Sequence, residues 1–490
     1  MENQIWIALT FIVFLLSFTF LGIYSSTRKQ DTTSDYLLAS RNVNPWLTAL
    51  SAMSTGQSGF LFVGQVGLAY SVGISAIWLV IGWALGDYIA WCLFFEKLRT
   101  ASEETDSETV SAFLGNNLPN GRWVSITSGL ITVALLGSYA AAQLVSGSKA
   151  LNALFGWDYR LGIIIGTVIV VIYCFSGGIR ASIWTDAAQA IVMIISLFLL
   201  LMTAIISVGG LSDIWTLLAS IDPQLVNLNP DPETVPNGLV AYLFIWMVAG
   251  FGVVGQPHIM VRAMSINSAK NVALARNIKI CAGLSTSFMA IAIGMMARVI
   301  LPQLSDPESA LPQLALGLLP SILVGLILAG LFSAVMSTAD SQILSCSAAI
   351  TQDIFPQLAK SYKFSKLGTL SVTAIVLAIA LAGNNNVFAL VTFAWSVLSS
   401  SLGPLFIIRI LKRPINTTVA LLMMIIGTIT PVIWSTIRFE IAGKVSTLKV
   451  ATGIYEVLPG MAAGLIVYLI AQFFINESQE ANTEPQEINR

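Results

Sequence analysis

Apolar residues fill this chain in blocks of about 20, the number a helix needs to cross the hydrocarbon core of a bilayer. Such blocks recur near 5–26, 43–70, 74–95, 123–149, 160–177, 183–208, 237–262, 278–300, 317–352, 367–384, 387–410, 416–437 and 452–475. They predict an all-α polytopic membrane protein of about thirteen transmembrane helices. The polar breaks at 27–42, 96–122, 209–236, 263–277, 301–316 and 353–366 are too short for a folded extramembrane domain. The expectation is one transmembrane domain over 1–476 and a polar cytoplasmic tail over 477–490. The first block, Ile5 to Tyr24, is too long for a signal-peptide core and lacks a basic flank, so it reads as a first span.

Two blocks are interrupted. The second contains Ser54-Thr-Gly-Gln-Ser-Gly59, and the seventh contains Gly250-Phe-Gly252 followed by Gly255-Gln-Pro-His258. They fall on the first and sixth spans of a ten-helix core that starts at residue 43 and ends near 410. Discontinuous helices at matching places in two halves point to a solute site at the bilayer midplane. Their free carbonyls and N–H groups are tolerated only where they line a cavity. Two kinked helices packed through small residues are the blander account.

The ninth block carries a polar face. Ser337, Asp340 and Ser341 lie together at i, i+3 and i+4, with Ala334 and Thr338 beside them. Hydroxyls and a carboxylate form a hard-oxygen cluster, the ligand type that hard cations prefer. A carboxylate at this depth costs about 2.5–3.5 kcal/mol on insertion scales and calls for a partner. Asp186 sits at the start of the sixth block, either in the same cluster or as a solvated cap. Asp353 ends the ninth block and reads as solvated, and Asp87 lies deep in the third with no motif around it. Tyr139 and Gln143, one turn apart in the fourth block, offer a solute a hydroxyl and an amide, or else bond between helices.

Composition removes the alternatives to a membrane protein. Hydrophobic residues make up 56% and charged residues 10%, against about 25% charged in soluble domains, and mean hydropathy is +0.81. A net charge of -1 gives no footing for nucleic acid. The cysteines (Cys92, Cys174, Cys281, Cys346) are far apart and His258 is the only histidine, so neither a metal motif nor a catalytic triad is visible. No enzyme activity, organic cofactor or obligate protein partner is expected beyond the lipid bilayer itself. With the N-terminus outside, eighteen of the 24 Lys and Arg residues, Arg262 and Lys279 among them, fall on the cytoplasmic side and six, Lys149 among them, outside, which sets the orientation with the C-terminus inside.

At these residues the chain resembles the sodium:solute symporter family, and within it the bacterial sodium/proline symporters. The resemblance runs through Ser40-Arg-Asn, Leu50-Ser-Ala, Gly177-Gly-Ile, Trp184-Thr-Asp-Ala-Ala-Gln, Gly255-Gln-Pro-His-Ile-Met-Val-Arg, Ala334-Val-Met-Ser-Thr-Ala-Asp-Ser-Gln and Tyr455-Glu-Val-Leu-Pro-Gly. It implies a leucine-transporter-like 5+5 inverted repeat with one extra N-terminal and two extra C-terminal helices, in the bacterial inner membrane. It implies a sodium-coupled symporter that imports a small organic solute, L-proline first, by alternating access.

Carried over by position, one sodium site would use backbone carbonyls of Ser54, Gln57 and Ala334 and the hydroxyls of Ser337 and Thr338. A second, present in some members, would use Asp186, Asp340 and Ser341 with Ser337. Arg41, Ser58 and Gly59 match positions near the sodium and solute paths, Arg41 as a coupling or gating residue. The solute would be bordered by Ser58, Gly59 and the break from Ala249 through Val253 to Pro257. Two departures stand out. Gly56 replaces an aspartate of the proline symporters, and Ala249 and Val253 replace an aromatic pair. The alternatives are another amino acid or small carboxylate as solute, proton coupling through Asp186 and Asp340, or a transporter-like membrane sensor.

Overall fold

The computed structural model describes residues 2–27, 32–231, 236–357, 362–382, 386–441 and 444–483. Arg28, Lys29, Lys360 and Arg490, four of the charges assigned to the cytoplasm, and the end of the predicted tail lie outside the described residues. The main helices, in chain order, are α1 (Glu2–Ser26), α2 (Pro45–Gly59), α3 (Ile77–Ala90), α4 (Arg122–Phe155) and α5 (Tyr159–Ser207). They continue as α6 (Gly238–Phe251), α7 (Pro257–Ser265), α8 (Val272–Ile300), α9 (Ser321–Ala348), α10 (Tyr362–Ala382), α11 (Val387–Ile410), α12 (Thr417–Thr436) and α13 (Val457–Thr483). A short antiparallel hairpin, Arg438–Ile441 with Lys444–Thr447, joins α12 to the last helix. Leu9, Val13, Leu16 and Phe20 of α1 are exposed, as a lipid-facing surface requires.

Several predicted spans run together. The helical stretch Pro45–Glu104 holds the second and third blocks, turning at Gly73 (φ +66°), and α5 holds the fifth and sixth. At 49 residues a straight α5 would reach about 73 Å, more than twice the ~30 Å core. It bends at Gly178 (φ +66°), where a side chain would also strike Tyr36. The predicted cytoplasmic tail starts as helix, since α13 continues to Thr483.

Two groups of helices pack within themselves. In one, α3 lies against α6 and α8 lies against both α2 and α3. In the other, α9 lies against α4, α5 and α10. The groups meet where α2 crosses α5 and α9. Outside them, α1 covers α5 and α9, while α12 and α13 cover α11.

The α3–α6 crossing is set by glycine. A Cβ on Gly86 would collide with the Met247 carbonyl, and one on Gly250 with the Trp83 carbonyl. Small residues allow such backbone approach, and in lipid the contact itself drives association. Gly86→Ala should destabilise the protein by about 1–3 kcal/mol, the usual range for overpacking. The measurement is the loss of Tm in detergent, and an unchanged Tm would mean the two helices are free to separate.

Candidate functional site

The first break is a single residue wide. Ser58 has φ +55° and ψ −177°, and a wider turn of π-type hydrogen bonding follows over Phe60–Gln65. In an unbroken helix the Gly59 N–H would bond the Thr55 carbonyl. Here it donates to Gln143 Oε1 at 2.8 Å, and the Thr55 carbonyl accepts from Thr338 Oγ1 at 3.0 Å. Side chains of α4 and α9 therefore replace the helix's own bonds. Tyr139 adds a long contact, its hydroxyl donating to Ser58 Oγ at 3.5 Å. A Cβ on Gly59 would clash with Ser146 of α4, so only glycine fits there.

The second break falls at Gln256 (φ −107°, ψ 88°). Pro257 has no N–H to give the Val253 carbonyl, which accepts from Gln256 N–H at 3.1 Å instead. This break is held by α11. Gln256 Nε2 donates to the Trp395 carbonyl at 3.1 Å, Trp395 Nε1 to the Ala249 carbonyl at 2.8 Å, and Ser399 Oγ to the Gly252 carbonyl at 2.9 Å.

Around the first break, hydroxyls from α2 and α9 meet. Ser54 Oγ and Ser337 Oγ are 2.8 Å apart, and Thr55 Oγ1 lies 3.3 Å from both Ser337 Oγ and Ser341 Oγ. All are buried. The structure thus brings together Ser54, Ser337 and Thr338 as the sequence predicts, with Ala334 one turn earlier on the same helix. Gln57 points elsewhere, its amide donating to the Gly283 carbonyl at 3.0 Å, which leaves only its backbone for the predicted role.

Next to these hydroxyls the structure places a cation of its own. Arg262 of α7 is fully buried. Its Nη2 donates to Asp186 Oδ2 at 3.2 Å, to Ser182 Oγ at 3.0 Å and to Ser341 Oγ, and its Nε donates to Ser51 Oγ at 3.2 Å. Nη1 bonds the His258 carbonyl at 2.7 Å. Asp340 accepts from Ser341 at 3.0 Å and Ser182 at 3.3 Å. Of the predicted second cation set, one Asp186 oxygen and the Ser341 hydroxyl are therefore already on a guanidinium, while Asp340 is not. Asp186 Oδ1 is buried with no protein partner. Asp186 is wholly buried, so the solvated-cap alternative does not hold. Asp353, expected to be solvated, is buried too and accepts from Thr109 Oγ1 at 2.7 Å.

On the opposite side of α2 lies a cavity of about 80 Å³ between α2, α3, α7, α8 and α11. Its wall includes Gly56, Gln57, Phe60, Trp83, Val253 and Trp395. Of the residues predicted to touch the solute, Val253 lines it. Ser58, Gly59, Tyr139 and Gln143 sit on the far face of the break, Ala249 meets the wall residue Trp395 through its carbonyl, and Pro257 borders a second, smaller cavity. Sequence reasoning missed Trp83 and Trp395, which carry no local signal within apolar spans. It also misplaced Lys279, assigned to the cytoplasm. Lys279 lies two turns inside α8, in the cavity wall, ion-paired with Asp87.

Arg41 lies just before α2, outside the helices named above. It donates to the carbonyls of Ser102 (2.9 Å), Ser107 (2.9 Å) and Met264 (3.1 Å), tying the entrance of α2 to the ends of two neighbouring segments. Burial, and next the Arg99 guanidinium, push its pKa below the ordinary arginine value, offset by Glu103, Asp106 and Glu108. Ala39, Ser40 and Arg41 all have φ between +51° and +53°, a strained path for non-glycine residues.

Two broken helices held by scaffold helices, a buried oxygen cluster at one break and a cavity beside both define a secondary transporter of the broken-helix class. The comparisons agree. The model of the sodium:solute symporter family matches residues 36–427. The high-affinity proline transporter PutP of Bacillus subtilis is 31% identical over 474 residues, covering 94% of this chain and 97% of that one. A sodium/proline symporter of Staphylococcus aureus is 31% identical over 488 residues, 96% and 92% of the two chains. Among solved structures, a Na+-coupled sialic acid symporter superposes with TM-score 0.76 at 19% identity, covering 95% of this chain and 98% of that one. The nucleobase-cation symporter MHP1 gives 0.57 at 16% identity, covering 92% and 96%. The chain belongs to the sodium:solute symporter family. It is a multi-pass membrane transporter with the leucine-transporter-like fold.

Removing one partner of a buried ion pair typically costs about 3–5 kcal/mol because the other charge is stranded, whereas removing both is far milder. Arg262→Ala should therefore be strongly destabilising, and adding Asp186→Asn should recover part of the loss. Thermal unfolding in detergent checks this. Additive losses would mean the two groups do not interact.

Proposed function

We propose that this protein imports a small organic solute, L-proline first, by coupling its entry to Na+ at the contact of α2 with α9. The carrying observation is the break at Ser58, where α2 gives up its own hydrogen bonding and meets the hydroxyls of Ser337 and Thr338. Na+ there would be held by the carbonyls of Ser54, Gln57 and Ala334 and those two hydroxyls, a hard-oxygen set. Bound, it pins α2, a wall of the cavity, to the α4–α9 group. Solute affinity then depends on Na+, and by linkage the reverse. Each Na+ moving inward gains about 2.3 kcal/mol per 100 mV of inside-negative potential.

A single Na+ per cycle is the reading we favour, since Arg262 already bonds Asp186 Oδ2 and Ser341 Oγ and sets a positive charge beside the remaining oxygens of the second set. Proline as solute is supported by the two relatives named for it. Arg41 acts in this reading as the cytoplasmic latch, released when the inner side opens. The bacterial relatives favour a bacterial inner membrane, and the charge distribution favours an N-terminus outside. Neither enzyme chemistry nor an organic cofactor enters the cycle.

Reconstituted in proteoliposomes, the protein should accumulate radiolabelled proline under an inward Na+ gradient and not under a proton gradient alone. The Na+ dependence should have a Hill coefficient of about 1. Ser337→Ala and Thr338→Ala should each raise the Na+ concentration for half-maximal uptake about tenfold, the effect of losing one ligand worth about 1.4 kcal/mol. Na+-independent uptake, or normal Na+ dependence in both variants, would refute the assignment.

A further inference from the structure

The wall of the 80 Å³ cavity is mostly apolar, with two charged side chains among the described residues that line it. Asp87 comes from α3 and Lys279 from α8. They are 192 residues apart in sequence and bonded to each other. Both are nearly excluded from solvent, and Lys279 also lies over the Trp91 ring at 5.4 Å. Asp87 Oδ1 is buried with no protein partner. Gln57, Gln65 and Ser287 add neutral polar groups, and Gly56 leaves the α2 wall without a carboxylate.

An isolated pair of this kind is a poor device for stability. Replacing a buried ion pair by apolar residues of similar volume is often neutral or stabilising, because desolvating two ions offsets their attraction. The α3–α6 crossing is fixed by Gly86 and Gly250, and α2 and the turn after it have their own hydrogen bonds to α8, from Gln57 and Gln65. The ion pair lies instead where a solute would be enclosed.

On the reading that this cavity receives the transported solute, we propose that Asp87 and Lys279 are its recognition pair. They separate to take the ammonium of a small amino acid on Asp87 and its carboxylate on Lys279. Closed, the cavity holds one ion pair. With a zwitterion inserted it holds two, and no charge is stranded. A ligand with only a carboxylate leaves Asp87 buried and alone, and a ligand with only an amine does the same to Lys279. The unpartnered Asp87 Oδ1 gives a second acceptor, so an ammonium with two N–H bonds finds both satisfied on one side chain. Trp83 and Trp395 supply flat apolar walls for a short side chain or ring. The pair thus selects for both charges on one small molecule.

The test uses the full-length protein in detergent with saturating Na+ and measures binding by calorimetry. L-proline and L-alanine are each compared with their decarboxylated amines (pyrrolidine, ethylamine) and deaminated acids (cyclopentanecarboxylate, propionate). The wild type should bind proline or alanine at least about 30-fold more tightly than either analogue, the lower end of the effect of stranding a buried charge. The double variant Asp87→Asn, Lys279→Met strands no charge and should fold. Its discrimination should fall to about threefold or less, while its Na+-dependent thermal stabilisation stays near that of the wild type. A wild type that binds the acid or the amine as tightly as the amino acid would overturn the proposal, and so would a double variant that keeps full discrimination. If Na+-driven uptake persists in either case, the symporter reading stands and only the recognition pair is wrong. Failure of all six probes to bind and to be taken up would remove both.

Discussion

A guanidinium fully enclosed by protein must find its partners within reach, and Arg262 does so on four helices. It joins Asp186 and Ser182 of α5, Ser341 of α9, Ser51 of α2 and the His258 carbonyl of its own α7. These contacts place α7, which follows the second break, against the first broken helix and against the scaffold formed by α5 and α9. An unmet charge there would be more expensive than any single packing contact. The two breaks are thus fixed relative to one another by charge satisfaction as well as by shape.

From that arrangement the rest follows by satisfaction of freed backbone groups. At the Ser58 break Gln143 and Thr338 take over hydrogen bonds that α2 gives up. At Gln256 the same task falls to Trp395 and Ser399 of α11. The oxygens left around Ser54, Ser337 and Thr338 face the scaffold, while the cavity with Asp87 and Lys279 faces the other helix group. A cation bound on one face of α2 and a solute on the other would share that helix as a wall. Ion and solute are then coupled without touching, through the position of one broken element.

Much of this was legible in the sequence. Glycines and polar residues stand out inside apolar runs, so both breaks and the Ser337–Ser341 face of α9 could be read directly. Tyr139 and Gln143 were found as a pair, though they buttress the break instead of lining the cavity. Charges near predicted span ends were misread. Arg262 and Lys279 were counted as cytoplasmic because each lies within a few residues of a predicted boundary. Their partners, Asp186 and Asp87, are 76 and 192 residues away, a pairing only the folded chain reveals. Lys149, counted as external, is likewise buried against Asp306 (2.8 Å) and Glu308 (2.5 Å). Trp83 and Trp395 gave no sign, since an aromatic residue within a span reads as one more apolar position.

The central claim is that an ion between α2 and α9 sets the affinity of the cavity beyond them. Its most direct measurement is a binding linkage on the purified protein. The dissociation constant for proline is determined at a series of Na+ concentrations, and that for Na+ at a series of proline concentrations. The account predicts that each ligand tightens the other by the same factor, between about 5-fold and 150-fold. A proline dissociation constant that does not change with Na+ would contradict it.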